Sequence, residues 1–554
     1  METFRPRPWS SGVGRWTGPA RDAGLIGAAR PPRPRPRCAA ADARGRAPEP
    51  GDRTMVYPDL QVVERALAAV EALRASAIEH EQRNRHLIDA VHPKHRAGVT
   101  NLLHYLAVRQ QDIRDLQRQL ASLGLSSLGR LERCALASLD VVRGALDALA
   151  RRPEVRPPGE SPTTFASGGA LLEEHARVLL GEGRQGRTTR VMVTLPGDAR
   201  KGELKRLIEG GMDVARINCA KEDAGAWAGL IERLREAGRE TGVRCKVLCD
   251  IAGPNPRVSK IDGGSVRVTL SEPGERPWLW LCKDVKRARP SAGSTGAGEV
   301  LALGCTIPEV VDDLRPGHRV FYDDGRLGGT VKLVTEGAAL VEVDFARQGS
   351  VKLKSGKGLN FPDTELGIPS LTPKDLEDLG FIARHADMVG LSFVRSPSDV
   401  ERLQAELAAR EAAHLGIVLK IETTPGFARF PRLLLTAMRS ENVGVMLARG
   451  DMAVEMGFMR LAEVQEELLW LCEAALVPAI WATQVLESLN KTGVPTRGEV
   501  TDAAMSSRAE CVMLNQGENI VATVAFVVDV LRRMHEHQDK KRALMRSLGV
   551  SRLD

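Results

Sequence analysis

Lys420-Ile421-Glu422 is the most chemically pointed triplet in this chain of 554 residues. Side chains alternate faces along a strand, so Lys420 and Glu422 project the same way. The run that carries them ends there, and the next apolar run ends in Arg449-Gly450-Asp451. Glu422 and Asp451 then come from neighbouring strands. Two carboxylates with open positions are the usual protein share of a Mg²⁺ site, water and substrate oxygens completing the octahedron. Lys420 beside them adds a point charge suited to a phosphoryl group or an enolate oxygen. Gly450 lets backbone approach a ligand closely, and the free N–H groups of a helix starting there would take a carboxylate. Thr483, at the next exit, adds a hydroxyl. Read without a ligand, the same residues make an internal Lys420–Glu422–Asp451 salt bridge and an ordinary strand-to-helix turn, and spacing alone leaves both open. Metal, lysine and anion nest in one mouth would imply a small, multiply anionic substrate.

These residues need strands to aim them. Eight short runs rich in Val, Ile, Leu and Met alternate with amphipathic stretches: 191–195, 214–218, 247–251, 388–393, 418–422, 443–447, 479–483 and 511–514. Continuous apolar runs separated by helices predict a parallel sheet covered on both faces, and eight of them predict an α/β (β/α)8 barrel. Its exits read Thr194; Arg216 and Asn218; Asp250; Ser392; Lys420 and Glu422; Arg449 and Asp451; Thr483; Glu518. Between the third and fourth runs the pattern changes to short alternating strands with Gly-rich turns, as at 266–270, 319–322, 329–333 and 339–343. A small β-barrel domain is expected there as an insertion. The boundaries expected are 188–256 and 355–540 for the barrel, 257–354 for the insertion and 541–554 for a tail.

Residues 55–150 carry a helical stripe through Leu102, Leu103, Leu106, Ile113, Leu116 and Leu120, and another through Leu136, Leu139, Val142, Leu146 and Leu149. They predict an all-α appendage, with a linker over 151–187. His92-Pro93-Lys94-His95, with His104 beyond, reads as a loop or polar contact in preference to a metal site. Residues 1–54 hold eleven Arg, no Lys and five acidic residues, which leaves 67 basic against 66 acidic residues in the rest. All but one unit of the formal charge of +7 therefore belongs to the tail, and no basic surface argues for nucleic acid. The tail's Arg, Pro and Gly cannot bury enough apolar surface to order it. No apolar run approaches the roughly 18 residues needed to span a bilayer. Nine Cys with no CxxC pair fit reduced, buried thiols in a cytoplasmic protein.

An ordered set of motifs then resembles the pyruvate kinase family over roughly residues 188–535. They are Met212-Asp-Val-Ala-Arg-Ile-Asn218, Gly253-Pro254, Asp323-Asp324-Gly325, Lys357-Gly-Leu-Asn360, Ile368-Pro-Ser-Leu-Thr-Pro-Lys-Asp375, Leu391-Ser-Phe-Val-Arg395, Lys420-Ile-Glu422, Ala448-Arg-Gly-Asp451, Ala482-Thr-Gln-Val-Leu-Glu-Ser488, Pro495-Thr-Arg-Gly-Glu-Val500 and Cys511-Val-Met-Leu514. The resemblance implies phosphoryl transfer from phosphoenolpyruvate to ADP in glycolysis. It implies Glu422 and Asp451 as Mg²⁺ (or Mn²⁺) ligands, and Lys420 as stabiliser of the phosphoryl group and the enolate. Arg216 would bind the phosphoryl group, Gly450, Asp451 and Thr483 the carboxylate, and Ser392 and Phe393 would line the pocket. Asn218, Arg257 and Lys357 would lie near the nucleotide. Asn218, Asp250 and the Ile251 carbonyl would hold K⁺.

The departures gather on the nucleotide and potassium sides. Ala220 stands where the family has a potassium-ligating Ser, so weakened K⁺ binding is expected, with Lys221 a substitute cation. Ala252 and Asn255 replace a basic and an acidic residue, Pro196-Gly197 inverts a Gly-Pro, and Ala453 replaces a Gly. Only about 40 residues follow Leu514, so the family's C-terminal effector domain is not expected, and homo-oligomerisation is left to an interface unidentified in the sequence. Two other readings stay open: a related enolate enzyme with a different acceptor, and a non-catalytic binding barrel.

Overall fold

The computed structural model describes residues 60–150, 162–163, 165–184, 186–262, 264–270, 276–285, 300–535, 538–539 and 542–543. The expected tail over 1–54, with Cys38, lies outside them, as does most of 541–554 and of the Pro-rich stretch after 150. The eight described cysteines are buried, and no disulfide joins any of them. Among the described residues no helix is long and apolar enough to cross a membrane.

The eight apolar runs form a closed parallel barrel. Its strands are β1 (Arg190–Thr194), β2 (Val214–Asn218), β3 (Lys246–Asp250), β4 (Met388–Leu391), β5 (Gly416–Ile421), β6 (Val443–Ala448), β7 (Ala479–Ala482) and β8 (Cys511–Leu514). Each pairs with its chain neighbours, and β1 pairs β8 to close the ring. Nearly every strand residue is buried, because helices cover the outside and side chains fill the inside. Met192, Val214, Leu248, Met388, Val418, Met446, Ile480 and Met513 make one inner cluster together with Leu179 and Leu180. Those two leucines end helix α4 (Phe165–Leu180), inside the segment expected as linker. The helix plugs the barrel floor: a Cβ on Gly416 or Gly444 would come within 2.4 or 2.6 Å of Leu179. Its apolar stripe is short and finds its partner only once the barrel has closed, which is why the sequence pattern reads as a linker.

The appendage is all-α. Its main helices are α1 (Leu60–Arg83), α2 (Arg96–Arg109) and α3 (Ala135–Leu149), with a shorter one at Arg114–Ser122. The stripe expected to run through Leu102–Leu120 is therefore cut, between residues 109 and 114. Most of α2 is buried because it lies between its own neighbours and a barrel helix, α6 (Phe458–Ala475). The approach is close: a Cβ on Gly98 would sit 2.4 Å from the Ala475 carbonyl oxygen. Asn101 Nδ2 donates to the carbonyls of Ala474 (2.9 Å) and Glu132 (2.6 Å). The His92-Pro93-Lys94-His95 motif docks on the barrel's lower loops. His92 N–H donates to the Met438 carbonyl (3.2 Å), Lys94 Nζ to Asn442 Oδ1 (2.8 Å), and His95 Nε2 bonds the Glu441 carbonyl (2.6 Å). His104 bonds Glu81 (2.7 Å). These histidines make polar contacts, as their spacing around a proline suggests.

Among its described residues the insertion holds a seven-stranded sheet and a separate two-stranded one. Five of its strands lie outside the four alternating runs read from sequence: the short Val258–Ile261, Ser350–Lys352 and Leu359–Asn360, and the longer pair Trp278–Cys282 and Leu301–Cys305. The longer pair is buried and aromatic or small in character, so alternation is weak. An antiparallel bridge between Arg257 and Gly358 closes the neck. At the far side, Gly325 packs toward Val454 of α5 (Arg449–Met456), so the insertion leans over the mouth as a lid.

Candidate active site

The exits of β1 to β7 contribute side chains because their strands alternate in and out. Lys420 is the hub. Its Nζ donates to Ser392 Oγ (2.8 Å) and lies 2.9 Å from Glu422 Oε1 and 3.7 Å from Asp250 Oδ2. Ser392 Oγ–H in turn donates to the Ile251 carbonyl (2.7 Å). Arg216 donates from Nε to Asp250 Oδ2 (2.6 Å) and from Nη1 to Thr194 Oγ1 (2.9 Å). Five exits are thus stitched into one buried polar cluster, in which Lys420 is 8 % exposed, Glu422 2 % and Asp250 1 %. Buried charges are tolerated only when paired and hydrogen-bonded. Burial alone would lower the Lys420 ammonium, but the carboxylates of Glu422 and Asp250 outweigh it and hold the pKa above the usual lysine value. Burial likewise opposes ionisation of Asp250, and Arg216 and Lys420 overcome it, holding its pKa low. Asp250 Oδ1 faces Gly390, where an added Cβ would clash at 1.9 Å, and it finds no hydrogen-bond partner.

The second carboxylate behaves differently. Burial pushes the Asp451 carboxyl up to about 7, and the charge of Glu422 pushes the same way. Two like charges crowd a place that has too little cation to neutralise both. Glu422 Oε2 accepts the Phe393 N–H (2.6 Å) and Oε1 faces Lys420. Among the described residues no group of three or more His, Cys, Asp or Glu side chains forms a metal cage. Two carboxylates short of positive charge fit a hard divalent ion that keeps its remaining positions for water and substrate.

Beside them lies an anion-sized nook. Thr483 Oγ1 accepts the Gly450 N–H (2.7 Å). Thr483 has φ +65°, and Gln484 and Leu486 are also left-handed, as is Phe393 across the mouth. Such conformations cost of order 1–3 kcal/mol each and cluster at functional sites. Arg449 holds this strained loop. It donates from Nε to the Ala482 carbonyl (3.0 Å) and from Nη2 to the Thr483 carbonyl (2.7 Å). It also forks onto Asp502 of helix α7 (Arg497–Met505), one arm at 2.8 Å, and lies 4.4 Å over the Trp481 ring. Trp481 Nε1 donates to the same carboxylate (3.2 Å). Arg449 is visible in the sequence as an exit charge, but Asp502 and Trp481 carry no spacing signal that ties them to it.

The remaining sequence candidates are scattered. Asn218 Oδ1 turns back to accept the Ala220 N–H (3.1 Å). Arg257 and Lys357 lie on the lid's neck, Arg257 bonding the Gly356 carbonyl (2.8 Å) and Lys357 pairing with Asp323 (2.9 Å). Glu518 is exposed on the loop before the last barrel helix, and nothing draws it into the mouth. Two acids carry no site role in the sequence: Asp324 on the lid, there only part of the Asp323-Asp324-Gly325 motif and here raised by burial and by Asp323, and buried Glu455 on α5, pushed by burial up to about 7. Burial against a lid is not a property of local spacing.

The family model described as the pyruvate kinase barrel domain matches residues 186–523. A pyruvate kinase of Geobacillus stearothermophilus is 31% identical over 354 residues, covering 63% of this chain and 56% of that enzyme. One from Thermococcus litoralis is 31% identical over 377 residues, covering 66% and 72%. The chain thus spans little more than half the length of the first of these relatives. A crystal structure of a pyruvate kinase from Cryptosporidium parvum superposes with a TM-score of 0.55 at 25% identity, covering 63% of this chain and 70% of that one. The matched stretch contains all eight strands whose ends meet around Lys420, and on that ground the chain belongs to the pyruvate kinase family.

Proposed function

We propose that the chain transfers the phosphoryl group of phosphoenolpyruvate to ADP, giving pyruvate and ATP. The observation that carries this reading is the buried lysine between two carboxylates and a serine, opening beside a strained anion nook in a family barrel. Lys420, kept charged by its neighbours, lies ready to stabilise negative charge on the phosphoryl group and on the enolate left behind. Arg216, fixed by Asp250 and Thr194, presents its remaining donors to the phosphoryl oxygens. The Gly450 backbone and Thr483 take the carboxylate, and Thr483 Oγ lies near the carbon to be protonated. Ser392 and Phe393 wall the pocket. Glu422 and Asp451 would hold Mg²⁺ or Mn²⁺, which when bound supplies charge neutralisation for phosphate oxygens. Arg257 and Lys357 approach the nucleotide phosphates as the lid closes. The chemistry is positioning and electrostatics throughout. Cytoplasmic glycolysis is the proposed setting.

Monovalent-cation dependence is proposed to be weak. Ala220 has no side-chain oxygen, Asn218 Oδ1 is already engaged by Ala220, and the Ile251 carbonyl accepts Ser392. Of the K⁺ set, Asp250 alone keeps an unpartnered side-chain oxygen.

One observation favours a second reading with another acceptor. The Glu222 side chain accepts the Gly197 N–H (2.9 Å), and a Cβ there would meet it at 2.3 Å. A carboxylate thus covers the loop after β1, where a nucleotide's phosphates would be repelled.

Pyruvate formation from phosphoenolpyruvate with Mg²⁺, with and without ADP, in the intact chain and in Lys420→Met, tests the proposal. ADP-dependent turnover that Lys420→Met abolishes is the expected result. ADP-independent pyruvate formation would replace it with the second reading, and strong K⁺ activation would overturn the cation assignment.

A further inference from the structure

A cavity lies away from the mouth, between the helical appendage and the barrel. Its volume is about 600 Å³, within the range of small-molecule sites. It exists because two antiparallel helices part company. Helices α2 and α6 touch where Gly98 meets Ala475 and Asn101 meets Ala474. Helix α2 then stops at Arg109 while α6 runs on through Trp470 and Glu466. The loops at 110–113 and 128–132 bridge the gap without filling it.

The charges round this cavity are unequal in one respect. Glu466 is forked by Arg508, and Glu473 pairs with Arg133 (2.9 Å). Asp112, Arg130 and Glu132 also have partners. Arg109 is the exception. Its guanidinium lies 4.9 Å from the Trp470 ring centre and 5.7 Å from that of Tyr105, and Nη1 donates to the neutral Tyr105 hydroxyl (3.0 Å). Among the described residues no carboxylate comes within ion-pair distance of it. Aromatic faces hold the fork in place but leave its charge unneutralised, and such a fork matches carboxylate and phosphate oxygens. Val108, Ile113, Leu128 and Leu131 supply an apolar wall on the same cavity.

We propose that this cavity is a second ligand site, for a small organic anion that carries its carboxylate or phosphate on an apolar or aromatic frame. The anionic group sits on Arg109 and the frame lies against the wall. The site is built jointly by the appendage and the barrel and shares no residue with the catalytic mouth. It still touches the mouth's supports: α6 follows directly on α5, which carries Asp451, and Arg508 lies just beyond α7, which carries Asp502.

Calorimetric titration of the full chain with phenyl phosphate and with phenylacetate tests this. Benzyl alcohol lacks the charge and inorganic phosphate lacks the frame. Both aromatic anions should bind, and each control at least about tenfold more weakly. Arg109→Gln should weaken the anions by about tenfold or more, the size expected for a lost charge-assisted contact. Gly129→Trp, at a position where an added Cβ meets Ser127 Oγ only at an ordinary contact distance of 3.6 Å, should fill the cavity and abolish binding. Lys420→Met should leave binding unchanged, which separates this site from the mouth. Affinities equal in wild type and both cavity variants, loss of binding in Lys420→Met, or no binding of either anion below about 10 mM would overturn the proposal. Circular dichroism on Arg109→Gln and Gly129→Trp checks that each is folded.

Discussion

Arg449→Lys should slow turnover far more than it unfolds the protein. The arginine touches no proposed substrate position; it holds the ones that do. Its fork pairs with Asp502, it caps the carbonyls of Ala482 and Thr483, and it lies over Trp481. Lysine keeps the charge but has neither fork nor flat face. Thr483, Gln484 and Leu486 then have less to hold them in left-handed backbone, a conformation worth of order 1–3 kcal/mol per residue to escape. If Thr483 Oγ1 drifts by about 1 Å from Gly450, a rate loss of up to about 100-fold follows from misplacement alone. Breaking a buried ion pair outright costs about 3–5 kcal/mol. Here the Asp502 side chain is 24% exposed and a charge remains, so about 1–3 kcal/mol of stability is expected. Steady-state kinetics should show kcat falling ten- to a hundredfold, on the order set by that misplacement. KM for phosphoenolpyruvate should change less. Urea unfolding gives the stability, and a double-mutant cycle with Asp502→Asn should return a coupling of about 1 kcal/mol or more. A variant that loses stability yet keeps kcat within about twofold of wild type, with the misplacement cost absent, would show that the backbone holds Thr483 unaided.

Three further outcomes are expected. Lys420→Met should lower turnover by at least about a hundredfold, roughly 3 kcal/mol, and it leaves Asp250 with Arg216 but Glu422 with no ion-pair partner among the described residues, so its melting temperature should fall and then recover in Mg²⁺ more than wild type's rises. Glu455 has its folded pKa raised by burial to about 7 from 4.5, so the fold is favoured with the acid protonated and that stability is lost as pH rises from 4.5 through 7. Glu455→Gln should therefore gain up to about 3 kcal/mol over wild type at pH 8 and nothing at pH 4.5, and equal gains at both values would refute the burial argument. His95 has the opposite sign: burial first, then His175, with Lys94 and His92 adding, lowers its pKa to about 4 from 6.5, against the Glu441 carbonyl bond. The unfolded chain binds the extra proton between those values, so stability is lost as pH falls from 6.5 toward 4. His95→Asn should lose less than wild type over that window, by up to about 3 kcal/mol, read as the difference between their urea midpoints at each pH.

Much of the barrel is legible in one dimension because its strands are continuous apolar runs separated by helical stretches, and a parallel sheet covered on both faces needs little else. Lys420 and Glu422 are legible for the same reason, since strand alternation puts both on the inner face. The sequence by itself determined which side chains could reach the mouth. It did not determine their pairing. Arg216 finds Asp250, and Ser392 bridges Lys420 to the Ile251 carbonyl, only because closure sets the exits of β2, β3, β4 and β5 side by side. Arg449 and Asp502 meet across 53 residues through the docking of a helix. The floor helix at Phe165–Leu180 and the cavity over Trp470 belong wholly to the tertiary structure. Leu179 has nothing to bury against until eight strands surround it. Among the described residues Arg109 meets no carboxylate, because the fold gives the acids lining its cavity other partners. Local spacing sets a side chain's direction, whereas the desolvation and charge that decide its chemistry are sums over neighbours that only the closed fold supplies.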